Sequence, residues 1–164
     1  MLRSFGVPGR LVVALGTCSA VAALLGTAPA AAPFVPRAVA GHLTVTEEDP
    51  DPTPAGGQTL LHATAENGGP GEAGAFTLTL QLPDGVVAQG PFFPRSCTVT
   101  PDGHTVTCPF PAGLPFEQTA SASMQMQVDP GVAPGTLTGT LTVSSDDDPD
   151  PTGHTTPFVI QVTG

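Results

Sequence analysis

The segment FTLTLQL places Phe76, Leu78, Leu80 and Leu82 on one side of an extended chain and Thr77, Thr79 and Gln81 on the other. Successive side chains of a strand point to opposite faces, so this period of two predicts a strand with one buried face. The pattern recurs. ASASMQMQV offers Ala120, Ala122, Met124, Met126 and Val128, and TLTGTLTV offers Leu137, Leu141 and Val143. PFVIQV adds Phe158, Ile160 and Val162, and LLHATAE a smaller face of Leu61, Ala63 and Ala65. Between the runs stand the turn clusters NGGPGEAG, LPDG, DPGVAPG and DDDPDPTGH. Their Gly, Pro, Asn and Asp residues supply the dihedral angles that reversals need. Beyond residue 40 no segment repeats apolar residues at helical spacing, and the abundance of Gly and Pro, 20 of each in the whole chain, opposes helix formation.

About eight or nine short strands at this spacing predict an all-β fold, an Ig-like two-sheet antiparallel sandwich over residues 41–164. A solvated outer face on each sheet accounts for the threonines at the alternate positions.

CTVTPDGHTVTC is nearly a palindrome about Asp102-Gly103, a favoured hairpin turn pair. Pairing about that turn sets Thr98 opposite Thr107, Val99 opposite Val106 and Cys97 opposite Cys108, for either a two-residue or a four-residue loop. Cysteines and valines then share one face. In an oxidising compartment such a pair reads as a disulfide.

Residues 1–40 follow another logic. Arg3 and Arg10 precede the uncharged apolar run Leu11–Leu25, and the small-residue sites Ala28-Pro29-Ala30 and Ala38-Val39-Ala40 follow. This order predicts a secretory signal peptide with a short processed or disordered tail, cleaved after Ala30 or Ala40. The rival reading, an uncleaved membrane anchor, needs roughly 20 apolar residues, which this run reaches only if its Gly- and Pro-containing tail is counted; after cleavage no membrane association is expected. Cys18 reads as a small apolar residue of the signal. The expected location is extracellular or at the cell surface.

Charge narrows the function classes. All 14 acidic residues lie beyond residue 40, where Arg95 is the sole Lys or Arg. Such a surface repels nucleic acid, whose binding needs clustered basic residues. The absence of Lys and Tyr and the single Asn67 and Ile160 fit a GC-rich bacterial genome. Carbohydrate-binding sandwiches usually present Trp or Tyr platforms to sugar rings, and the absence of both argues against that class.

The acid is concentrated in two similar phrases, TEEDPDPT at 46–53 and SSDDDPDPT at 144–152. Calcium takes several carboxylate oxygens around one point, which makes Asp49, Asp51, Asp146, Asp147, Asp148 and Asp150 weak metal candidates. Neither phrase carries the spacing of a calcium loop, and each Asp-Pro step is stiff. Counting a strand at 86–89, as the hairpin-like LPDGVV suggests, places the phrases at opposite ends of the sandwich, whereas without it they would share one end; the first arrangement is expected, and with it no metal site. His42, His62, His104 and His154 have no ligand spacing along the chain and read as satisfied or solvated. No nucleophile elbow or phosphate-cradling loop occurs, so no catalytic residue and no cofactor is predicted. GPFFPRS offers the one aromatic and cationic group suited to a partner, Phe92, Phe93 and Arg95, with the two phenylalanines on opposite faces.

The stretch LTVTEEDPDPTPAGGQTLLHATAENGGPGEAGAFTLTLQLPDGV resembles the start of the conserved repeat domain of bacterial cell-surface proteins. AGGQ, ENGGPGEA, LPDGV, the cysteine hairpin and GTLTGTLTVSSDDDPDP carry the resemblance, which spans about residues 42–164. It implies an Ig-like domain of a family with largely unassigned function. Together these readings predict a monomeric, non-catalytic secreted or surface-associated module that serves as a spacer or binds a protein or cell-wall partner. The alternatives are an accessory domain or subunit of an extracellular enzyme and a weak calcium-binding adhesion module.

Overall fold

The structure, a computed structural model, describes residues 40–150 and 152–164. The predicted signal peptide therefore lies outside the described residues, apart from Ala40. Among the described residues there are ten strands and no helix. The smaller sheet contains β1 (Leu43–Glu48), β3 (Gln58–Asn67), β8 (Thr119–Val128) and β5 (Val86–Phe93), in the order β1-β3-β8-β5. The larger contains β2 (Thr53–Pro54), β10 (Thr155–Thr163), β9 (Gly135–Ser145), β4 (Phe76–Gln81), β7 (Thr105–Phe110) and β6 (Thr98–Val99), in the order β2-β10-β9-β4-β7-β6. The architecture is the predicted Ig-like sandwich.

The alternating residues form the core between the sheets. Leu61, Met124 and Met126 come from the smaller sheet, and Leu78, Leu141 and Phe158 from the larger; none is more than 1 % exposed. Each such side chain stabilises the fold by about 1.5–3 kcal/mol relative to exposure. Phe158 lies opposite Gly139 in the β9–β10 register. A Cβ on Gly139 would run into the Phe158 ring and come within 2.7 Å of the Gln81 carbonyl oxygen. The ring thus fills the space that a side chain on β9 would otherwise occupy.

Two details differ from the sequence reading. There are ten strands rather than eight or nine, because Thr53–Pro54 adds a two-residue edge strand. That strand runs parallel to β10, so the sandwich is not wholly antiparallel. An edge tolerates Pro54, which has no N–H to donate to a ladder. Val99 is 40 % exposed although Val106 and Cys108 are buried, because β6 is the outermost strand of the larger sheet. The expected register is otherwise present: Thr98 faces Thr107, Val99 faces Val106, and Thr100 N donates to Thr105 O at 3.0 Å. The loop has four residues, Pro101 to His104, with Gly103 at φ 79°. Cys97 and Cys108 form a disulfide. It ties the segment that leaves β5 of one sheet to β7 of the other.

Candidate functional site

The two acidic phrases do not meet. Asp49, just past the end of β1, accepts a hydrogen bond from Val159 N at 2.7 Å, midway along β10. Asp148, in the turn after β9, accepts one from Leu43 N at the start of β1. The carboxylates therefore stand at opposite ends of β1, and an oxygen-rich site shared between the phrases is not assembled. Asp51, Asp146, Asp147 and Asp150 are exposed.

Asp148 is different, with a side chain only 4 % exposed. His154 Nε2 lies 2.9 Å from its Oδ2 and His42 Nδ1 3.6 Å. Burial pushes this carboxyl up, but hydrogen bonds from Leu43 N, His154 and Asp150 N outweigh it and hold the group below the usual carboxylate range. The two imidazoles are stacked with ring centroids 6.2 Å apart. His154 is positioned by its own carbonyl, which accepts from Val143 N at 2.8 Å, and by the turn before it. In that turn Gly153 has φ 76° and its carbonyl accepts from Val45 N at 2.9 Å.

His42 is positioned by Asn67, a fully buried residue at the end of β3. Asn67 Oδ1 accepts from His42 N at 3.0 Å and Gly69 N at 3.1 Å. Its Nδ2 donates to Gly71 O at 2.8 Å and Leu114 O at 2.9 Å. All four hydrogen-bonding positions of the amide are used. The His42 carbonyl is held as well, by Gly68 N at 2.8 Å. The sequence reading treated the histidines as satisfied or solvated. His42 departs from that: its Nδ1 is buried without a hydrogen-bond partner among the described residues.

A third histidine sits on the outer face of the smaller sheet. Glu48, His62, Ser123 and Phe93 occupy one cross-strand row over β1, β3, β8 and β5. His62 Nδ1 and Ser123 Oγ are 2.9 Å apart. A serine beside an imidazole invites comparison with a hydrolase, but the surroundings do not support one. The row is exposed or half-buried, and the adjacent backbone belongs to sheet ladders rather than to a free pair of N–H donors.

No family model and no curated protein matches the chain. Solved structures do. One is the collagen-binding domain of a Staphylococcus aureus adhesin, 10 % identical with a TM-score of 0.50, covering 73 % of this chain and 97 % of that one. Another is the CARDB domain of a Pyrococcus furiosus protein in complex with di-metal ions, 12 % identical with a TM-score of 0.49, covering 74 % and 93 %. A third is a bacterial hydrophobin, 14 % identical with a TM-score of 0.49, covering 77 % and 95 %. At such identity the similarity concerns the fold alone, and function has to be argued from sites.

Of the aromatic and cationic group, Phe92 packs against the core opposite Met124. Phe93 points outward and is 62 % exposed, and Arg95 is exposed beyond the end of β5. Leu60, 42 % exposed, lies opposite Gln125 on the same outer face as Phe93. Sequence reasoning found the phenylalanines by their adjacency. It left Leu60 out, although assigning Leu61, Ala63 and Ala65 to the inward face already put Leu60 on the outer one.

Proposed function

We propose that this chain is a non-catalytic, exported interaction module that engages a protein or cell-wall partner at the cell surface. The outer face of the smaller sheet is its docking surface. The observation that carries this reading is the placement of two exposed large apolar residues, Leu60 and Phe93, on one polar sheet face. They flank Ser123 and Gln125 of β8. Buried aromatic and aliphatic anchors ringed by polar groups are what protein interfaces use. The disulfide suits an oxidising compartment, and export agrees with the basic and then apolar order of residues 1–40. The turn signatures AGGQ, ENGGPGEA and LPDGV support membership of the conserved repeat family of bacterial cell-surface proteins.

The test is affinity capture from the producing organism's surface and medium with the wild type and with the Leu60→Asp/Phe93→Asp variant. A partner retained by the wild type and lost by the folded variant supports the reading. A partner held equally by both moves the interface elsewhere and overturns it.

A further inference from the structure

We infer that His42, Asp148 and His154 form a binding site for a divalent transition-metal ion, with zinc as its best-suited occupant. One ligating atom from each residue lies within 4.8 Å of the other two, and His42 Nδ1 and His154 Nε2 are the nitrogens that face Asp148 Oδ2. Two nitrogens and one carboxylate oxygen are the donors that zinc, cobalt and nickel accept, while calcium and magnesium call for oxygen ligands. Zinc–nitrogen and zinc–oxygen bonds of roughly 2.0–2.1 Å in a tetrahedron put neighbouring ligand atoms about 3.3–3.4 Å apart. The observed separations of 2.9 and 3.6 Å from Asp148 Oδ2 lie on either side of that value. The remaining edge, between the two imidazole nitrogens, would close by rotation of His42, whose side chain is 31 % exposed and whose Nδ1 has no hydrogen-bond partner among the described residues.

The second line of evidence is the buried His42 Nδ1 itself. A polar atom enclosed without a partner costs free energy, and here it is adjacent to a buried carboxylate already aimed by two backbone donors. Leu43 N donates to Asp148 Oδ2 and Asp150 N to Oδ1 at 3.1 Å. Such outer hydrogen bonds fix a ligand's orientation before an ion arrives. The three ligands come from the approach to β1, the turn after β9 and the approach to β10. An ion would join the beginning and the end of the described chain at one pole. Three protein ligands leave a fourth position for water. The site lies at the far end of β1 from Glu48, so it is independent of the proposed docking face.

The test is titration of the metal-free full chain with zinc against a chromophoric chelator, alongside the visible absorption of the cobalt form. One zinc per chain is expected, together with the absorption of a four-coordinate cobalt site. Calcium should not compete. Asp148→Asn and His42→Ala should each weaken zinc binding by roughly ten- to a hundredfold, while His104→Ala in the hairpin turn should leave it unchanged. Asp148→Asn removes structural hydrogen bonds and could unfold the pole. His42→Ala does not, since its main-chain bonds to Asn67 and Gly68 persist, and it decides the matter alone. Absence of saturable zinc binding, equal binding by wild type and His42→Ala, or displacement of zinc by calcium overturns the inference.

Discussion

Replacing Asn67 by alanine removes four side-chain hydrogen bonds in one step. The backbone groups left behind are His42 N, Gly69 N, Gly71 O and Leu114 O. The bond to Gly69 N is buried and the other three are partly buried. An enclosed unsatisfied group costs about 1–3 kcal/mol, and groups that regain water cost less. Counting the buried donor fully and discounting the others, the loss is about 3–5 kcal/mol. Domains of this kind have only about 5–15 kcal/mol in total. For a folded region of about 125 residues each kcal/mol shifts the melting temperature by roughly 4 °C, so Asn67→Ala should melt about 12–20 °C lower. Urea titration with an unchanged m value would assign the loss to the folded state. Asn67→Asp is the sharper control, because a carboxylate still accepts from His42 N and Gly69 N but donates to neither carbonyl. It should be nearly as damaging at neutral pH, with partial recovery in acid where the protonated group donates once. A loss below about 1 kcal/mol for Asn67→Ala would mean that water replaces the amide, and would refute the idea that this residue organises the pole.

Gly139→Ala should destabilise by about 1–3 kcal/mol through collision with Phe158 and the Gln81 carbonyl, and Gly139→Ala/Phe158→Leu should recover part of it in thermal melts. Removing the disulfide as Cys97→Ala/Cys108→Ala should cost about 2–3 kcal/mol by the loop-entropy argument, and intact-mass measurement should find neither cysteine alkylated before reduction. Burial, and then the charge of Asp49, raises the Glu47 pKa above the ordinary glutamate range. The folded state then holds that proton more tightly than the unfolded chain, so ionising Glu47 costs stability, and the penalty is complete above the folded pKa and absent below the unfolded value of about 4.3. Glu47→Gln should therefore melt higher than wild type at neutral pH, with the difference vanishing as the pH falls through that window. Because the acidic phrases lie at opposite ends of β1, calcium should raise the melting temperature by only a few degrees, and sodium chloride at equal ionic strength should reproduce most of the shift.

Alternation made the strands legible because each has one face inward. Phe76, Leu78 and Leu80 could be assigned to the core without knowing what covers them. The cysteine hairpin was legible because its register is local and almost symmetric. Thr53–Pro54 was not, since two residues carry no period and their pairing with Val162 and Thr163 is set by the far end of the chain. Val99 shows a related limit. Alternation tells which side a residue faces, but exposure depends on whether the opposite sheet extends over it. The histidine–aspartate cluster was invisible for a stronger reason. Metal ligands were sought at short spacings, whereas His42 and His154 come from opposite ends of the described chain. One signal was present: each histidine lies directly before a strand, as does no other histidine in the chain except His104. Asn67 gave a weaker one, as the only asparagine and the last residue of a strand.

Asn67 is followed by Gly68, and that pair has a chemical lifetime. In an accessible Asn-Gly sequence the glycine nitrogen attacks the side-chain carbonyl carbon, ammonia departs, and the cyclic imide opens to aspartate or isoaspartate. Here the attacking nitrogen is engaged with the His42 carbonyl at 2.8 Å, and the amide it would attack is held by four bonds. Ageing of this bond must wait for the pole to open. Once it has occurred, the new carboxylate cannot donate to the carbonyls of Gly71 and Leu114, so the damage is retained as a weakened closure. The rate at which Asn67 deamidates would thus report how often this end of the sandwich comes apart.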